Sequence, residues 1–353
     1  MKRRRNRIAW VGVWSAGHNN IRYQELLPRL TNVDQYPVRL HQRWWIRGVQ
    51  RRVLYPCLAV LLRLRYPFLL ATDPRLARLF AGHVICELDD PVDLEAEVSV
   101  FSRPNVIGVI VASEAIRVRL RQGGLKKTVE VVAQGVSPEN LDEKKAVAIR
   151  QTLRSSSEEV VIGLNQPYSY LGQELRNQRI AAMYAIDGLL RAMEEVRRQV
   201  PAAVLWVMGR ASSGVKAYAD GHPWLRLAGY QPHGQILNFV SAFDIGVYPR
   251  GGDALGAASI KLLEYMACGV PTVGLTAGEM DVIRDSGAGI VASDWSEFVQ
   301  GVVQLARDEP LRRELGRRGP TYARSFSWER LGAAYRDLLD RMVQGAPPTR
   351  VTF

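Results

Sequence analysis

Cysteine is scarce in this chain and badly placed for chemistry. Cys57, Cys86 and Cys268 stand far apart and are odd in number. That spacing excludes a disulfide framework and the paired ligands of a zinc site, and it fits a reducing cytoplasm. The five histidines are scattered, and no Asp-x-Asp motif is present to hold a divalent ion. Long apolar runs are missing too. The longest, Leu54 to Leu70, is interrupted by Arg63 and Arg65 and punctuated by Pro56 and Pro67, so no transmembrane helix is expected. Lys2 to Arg5 is followed by only six strand-like residues, Ile8 to Val13, too few for the apolar core of a signal peptide.

What is present is an ordinary globular composition. Of 353 residues, 47% are hydrophobic and 23% charged, which suits about two domains with ample core. The net charge of +12 calls for an anionic partner, and the basic residues crowd the first 80 positions. Between Arg39 and Arg65, Trp44, Trp45, Ile46, Val49, Val53 and Leu54 are interleaved with arginines. A basic helix of this kind can lie in an anionic membrane surface, where each arginine contributes about 1 kcal/mol. A solvated face over a core-packing helix is the competing reading. No aromatic-interleaved RNA motif or recognition helix is legible, so nucleic acid is not an expected partner.

Short β-branched runs alternate with helical patterns throughout, as in parallel sheets built from βαβ units. Ile8–Val13 is the first strand, with Gly17 and His18 in the loop beyond it, where open α/β sheets bind ligands. The run from His83 sets Glu87, Asp89 and Asp90 at a strand end. Val106–Ala112 and Val129–Val136 complete the first half, and 140–159 holds the boundary. A second α/β unit begins at Val160. Its helical pattern spans Gln178–Gln199, followed by a strand turning at Gly209 and Arg210, and by Leu225–Tyr230.

The densest signal lies between Ser259 and Gly274. Ser259 suits an N-cap, Leu262, Leu263 and Met266 form an apolar face, and Gly269 with Pro271 stops the helix. Glu264 interrupts the apolar face. The preceding 251–258, poor in side chains, would let a phosphate approach the helix N-terminus.

Lys261-Leu-Leu-Glu264-Tyr-Met-Ala-Cys-Gly269-Val-Pro271 resembles the signature of the retaining GT-B glycosyltransferases of the Glu-x7-Glu superfamily, the family 4-like group 1 enzymes. The resemblance implies an α/β fold of two Rossmann-like, doubly wound domains facing a cleft, with a C-terminal helix crossing back to the N-terminal domain. It places an acceptor-side domain at 1–150, a nucleotide-sugar domain at 151–330 and the crossover helix with its tail at 331–353. It implies that Glu264 holds the ribose of a nucleotide sugar, and that the loop through Gly256 and Ser259 meets the diphosphate together with Lys261. Gly209 and Arg210 belong to the phosphate-side loop, Tyr230 lies near the base, and Gly17 and His18 sit in the cleft loop. Asp89 or Asp90 serves catalysis or the acceptor.

Two departures stand out. The first glutamate of the signature falls on Gly256, and the family's phosphate-binding arginine and lysine fall near Asn165 and Tyr184, neither charged. Lys261 and Arg179 are the replacement cations, with Arg176 as a further candidate. The implied function is sugar transfer from a nucleotide-diphosphate donor to a glycan or lipid-linked acceptor, with retention and without metal. It would take place in the cytoplasm, at the inner face of a membrane. The alternative is a non-catalytic GT-B subunit that binds a nucleotide or glycan.

Overall fold

The computed structural model describes residues 7–15, 21–40, 43–89, 93–176, 181, 184–250, 259–275 and 280–345. The chain forms two compact units. One holds the residues up to Gly135 and those from Trp328 onward; the other holds Val136–Ala254 and Ala258–Ser327.

The first unit is a parallel six-stranded sheet in the order β3-β1-β5-β6-β7-β8. Its strands are β1 Ile8–Val11, β3 Val33–Gln35, β5 Phe68–Ala71, β6 His83–Leu88, β7 Val106–Val111 and β8 Val129–Val131. Parallel strands covered on both faces read as continuous apolar runs rather than alternating ones, and β1 and β5 to β7 do so. The first strand is shorter than the sequence suggests. It ends at Gly12, where a Cβ would lie 1.9 Å from the Trp10 ring. The chain then enters a separate two-stranded ribbon of β2 Val13–Ser15 and β4 Val38–Leu40.

Helix Trp44–Arg65 buries Tyr55, Ala59 and Leu62 against this unit. Its opposite face leaves Trp45, Val49, Val53, Val60, Leu61 and Leu64 exposed. Among the described residues no helix is long and apolar enough to cross a membrane. The terminal helix Trp328–Gln344 crosses back and packs into this unit through Leu331, Tyr335, Leu338 and Leu339. Asn32 Nδ2 donates to Asp340 Oδ1 at 2.6 Å and pins it further.

The second unit repeats the plan, with strand order β11-β10-β9-β12-β13-β14. The strands are β9 Val160–Ser169, β10 Ala203–Ala211, β11 Leu225–Gly229, β12 Ile245–Tyr248, β13 Thr272–Leu275 and β14 Gly289–Ala292. Stretch 140–159 carries a helix, Glu143–Leu153, started by Asp142, whose carboxylate accepts from the Lys144 and Lys145 N–H groups. The pattern read from Gln178 appears among the described residues as helix Asp187–Gln199, which buries Leu189, Leu190, Met193 and Val196. Helices Trp295–Arg307 and Glu309–Arg324 follow, each opened by an aspartate cap, Asp294 and Asp308.

Candidate functional site

The short helix Ile260–Ala267 shapes the site in the second unit. Ser259 occupies its N-cap position, but with its carbonyl, which accepts from Leu262 N at 2.9 Å; the hydroxyl makes no capping bond. Leu262, Leu263, Tyr265 and Met266 are fully buried. The helix therefore carries Glu264, at the centre of that set, into the interior, where it is only 2% exposed. Gly269, at φ 67°, ends the segment in the left-handed turn expected of a glycine C-terminal stop.

A buried carboxylate needs a donor, and Asn165 on β9 provides one. Its Nδ2 donates to Glu264 Oε2 at 2.6 Å. The Asn165 backbone N–H donates to the Tyr265 hydroxyl at 2.7 Å, and that hydroxyl donates to the Gly163 carbonyl at 3.0 Å. Tyr265 reaches this place because Gly246 leaves its ring room; a Cβ there would lie 2.8 Å from it. Burial pushes the Glu264 carboxyl up to about 7, against the pull of Lys261 and the Asn165 hydrogen bond. At neutral pH it stands between acid and carboxylate, able to accept from hydroxyls in one form and donate in the other.

A second cluster sits further along β9 and β10. Gly209 has φ 109°, and a Cβ on it would lie 1.8 Å from the Gln166 carbonyl oxygen. The register of β10 against β9 shifts there, between Met208 and Arg210. The Arg210 guanidinium stacks 4.8 Å above the Tyr230 ring and 5.9 Å from that of Tyr168. Tyr168 meets Tyr184 edge-on at 6.0 Å. Arg210 and Tyr230, read separately from the sequence, thus share one aromatic cluster. Tyr184 belongs to its wall, and Asn165, which the sequence shows only as a lost cation, is the partner of the central carboxylate.

The first unit carries a different constellation. Arg22, 2% exposed, donates from Nε to Glu87 Oε1 at 2.8 Å and lies 3.3 Å from Asp89 Oδ1. The Tyr335 hydroxyl, from the returning helix, donates to Glu87 Oε2 at 2.7 Å. Burial works against the Arg22 charge, but Glu87 and Asp89 hold it above the ordinary arginine range. Of the two acids flanking Leu88, Glu87 is a buried tie between strand and helices, and Asp89 is the more exposed carboxylate, oriented by Arg22.

Gly17, His18, Asp90, Arg179 and Gly256 lie outside the described residues. Arg176 is exposed. Among the described residues no group of His, Cys, Asp and Glu side chains is clustered as metal ligands would be. Tyr265, Tyr168, Arg22 and Tyr335 carry little signal in the sequence. Glycines interrupting two apolar runs, Gly163 and Gly246, which turn out to be paired across β9 and β12, were the one trace of Tyr265.

Residues 178–308 match the family model described as glycosyl transferases group 1. The chain is 32% identical over 177 residues to a D-inositol 3-phosphate glycosyltransferase of Segniliparus rotundus, covering 46% of this chain and 39% of that protein. It is 28% identical over 174 residues to the GDP-mannose-dependent monoacylated alpha-(1-6)-phosphatidylinositol monomannoside mannosyltransferase of Corynebacterium glutamicum, covering 46% and 45%. The matched stretch thus spans less than half the length of these curated relatives. In fold, the chain resembles Anabaena HepE in complex with UDP and glucose, with a TM-score of 0.72 at 13% identity over 94% of this chain and 99% of that one. The chain thus has the two parallel six-stranded units of the GT-B fold, and its segment 178–308, which carries Glu264, is similar to the group 1 glycosyl transferases.

Proposed function

We propose that the protein transfers a sugar, with retention and without metal, from a nucleoside diphosphate to a hydroxyl of a glycan or lipid-linked acceptor. The observation that carries this reading is the buried Glu264, held by Asn165 on the helix that Ser259 begins. Glu264 engages the ribose hydroxyls. The positive end of the helix dipole, with Lys261, stabilises the charge that collects on the departing phosphate as the anomeric C–O bond breaks. Arg210 and Tyr230 offer a cation and a flat ring for the phosphate and base, and Asp89 is the acceptor-side carboxylate. Two relatives support two candidate bases, since HepE was solved with UDP and the corynebacterial mannosyltransferase is GDP-mannose-dependent.

Calorimetry with UDP and GDP tests the donor site. One of them binds wild type in the micromolar range, and Glu264→Ala weakens it by about 1–3 kcal/mol, as loss of hydrogen bonds to a charged group does. A folded wild type that binds neither nucleotide rejects the donor site. The uncharged Asn165 and Tyr184 favour one second reading, a non-catalytic subunit; nucleotide binding without turnover of any nucleotide sugar, across an acceptor screen, is its signature.

The acceptor reading draws on helix Trp44–Arg65. Val49, Val53, Val60 and Leu64 repeat at helical spacing on its outer face and are 57–64% exposed. The helix contains five arginines and no acid. Such a stripe suits the interface of an anionic membrane at a cytoplasmic face. Flotation with phosphatidylglycerol vesicles, lost in Val53→Glu and Leu64→Glu and absent with neutral vesicles, is the expected result; equal binding to both vesicle types rejects it.

A further inference from the structure

The first unit carries an open pocket of about 440 Å³ at the end of its sheet where the strands begin. Phe68 opens β5, His83 opens β6 and Glu130 stands second in β8, and all three line it. Ligands of open α/β sheets sit beyond the opposite, carboxyl ends of the strands, so this cavity lies apart from the face that carries Glu87 and Asp89. The last turns of helix Trp328–Gln344 close it with Leu338, Arg341 and Met342. Met342 settles on Gly108 of β7, where a Cβ would be 3.0 Å from its Cε. The Phe68 and His83 rings stack at 5.5 Å with 27° between planes and form a flat apolar wall.

Arg341 is the unusual member. Its Nε and Nη2 are cut off from water and have no hydrogen-bond partner among the described residues. A guanidinium stays charged, and Nε–H with one Nη2–H forms the parallel pair of donors that matches the two oxygens of a carboxylate. Glu130 does not fill this role. It senses Arg341 and Arg117 electrostatically but forms no ion pair with Arg341, and burial holds its carboxyl above the ordinary glutamate range. Arg117 is paired with Glu114 at 2.6 Å and does not line the pocket, so Arg341 and Glu130 are its opposed charges, and a monoanion on Arg341 meets less repulsion from Glu130 than a dianion would.

We propose that this cavity binds a small organic monocarboxylate whose apolar body lies against the Phe68–His83 wall, Leu338 and Met342, and whose carboxylate takes the Nε–Nη2 edge of Arg341. Because both atoms are sealed from water, binding includes a turn of the Arg341 guanidinium toward the pocket, which gives the two orphaned donors a charged acceptor. Volumes of this size are typical of small-molecule sites.

The test uses 3-phenylpropionate and its neutral amide as probes, with ligand-observed NMR and calorimetry on the full chain. The acid binds wild type at least tenfold more tightly than the amide. Arg341→Met removes that preference, Glu130→Gln tightens the acid severalfold, and Glu264→Gln, which disables the donor site, leaves it unchanged. Equal binding of acid and amide, unaltered acid binding by Arg341→Met, or no binding of the acid by wild type overturns the proposal. Inorganic phosphate competing as strongly as the acid overturns the assignment to a monocarboxylate. Should Arg341→Met fail to fold, the acid-versus-amide comparison on wild type decides alone.

Discussion

Replacing Glu264 by glutamine should stabilise the protein at alkaline pH while disabling its donor site. In the folded chain the Glu264 carboxyl is pushed up to about 7 by burial, despite Lys261 and Asn165. In the unfolded chain it titrates at the ordinary glutamate value of about 4.3. Below that value both states hold the proton and the group contributes fully. Between about 4.3 and about 7 the folded chain keeps a proton that the unfolded chain has released, so stability falls as pH rises through this window. At 1.36 kcal/mol per pH unit the loss amounts to roughly 3 kcal/mol by pH 8. Glutamine removes the titration, and its carbonyl can still accept from Asn165 Nδ2, the bond that measures 2.6 Å in wild type. Wild type and Glu264→Gln should therefore have similar stability near pH 4.5. They should diverge through neutrality, the variant ending roughly 3 kcal/mol ahead, or several degrees in Tm for a unit of this size. Urea unfolding from pH 4.5 to 8.5, followed by tryptophan fluorescence, measures this directly. A difference between the two proteins that does not change with pH would refute the reasoning, because it would mean that Glu264 is already ionised in the folded state throughout.

Two further outcomes test the scaffold. Gly209→Ala must place a Cβ 1.8 Å from the Gln166 carbonyl oxygen at φ 109°, so it should cost about 3 kcal/mol or more from steric overlap and strain together. A midpoint of urea unfolding within error of wild type would show that β10 relaxes there. Arg154→Ala strips two hydrogen bonds, 2.5 and 2.6 Å, from the Asp244 carboxylate, which is 8% exposed and keeps only Arg150 and the Val161 N–H. Thermal unfolding should report a loss of about 2–3 kcal/mol, less than for a fully orphaned buried charge.

Much of the secondary structure was legible because its causes are local. Uninterrupted runs such as Val106–Val111 and Val204–Met208 leave little alternative to buried strands, and the residues Leu189, Leu190, Met193 and Val196 space a helix face by themselves. The helix starts at Asp294 and Asp308 follow from a side chain reaching its own backbone three residues on, whereas helix Glu143–Leu153, begun by Asp142, lies in the stretch read only as a boundary. The limits were also local in origin. Ile8–Val13 reads as one strand because the periodicity does not register that Gly12 lies under the Trp10 ring. Ser259 reads as a side-chain cap, yet its hydroxyl does not cap.

The candidate site was legible in part. Glu264 is conspicuous as a charge on an apolar helix face, and Gly209 as a glycine at a strand end. Asn165 read as a loss, since an uncharged residue standing where a cation is looked for carries no sign of what it will touch. Arg22 and Tyr335 gave no signal, being ordinary members of amphipathic segments.

The sequence by itself determined the alternation of strands and helices, the position of Glu264 on its helix and the family signature around it, because these depend on neighbours within a few residues. Tertiary structure alone decided that Asn165 would meet Glu264 across 99 residues and that Tyr335 would meet Glu87 across 248. It also left the Nε–Nη2 edge of Arg341 without a partner beside an open cavity. Hydrogen bonds and ion pairs between distant segments depend on where two folded surfaces come within about 3 Å of each other, and no local pattern encodes that distance.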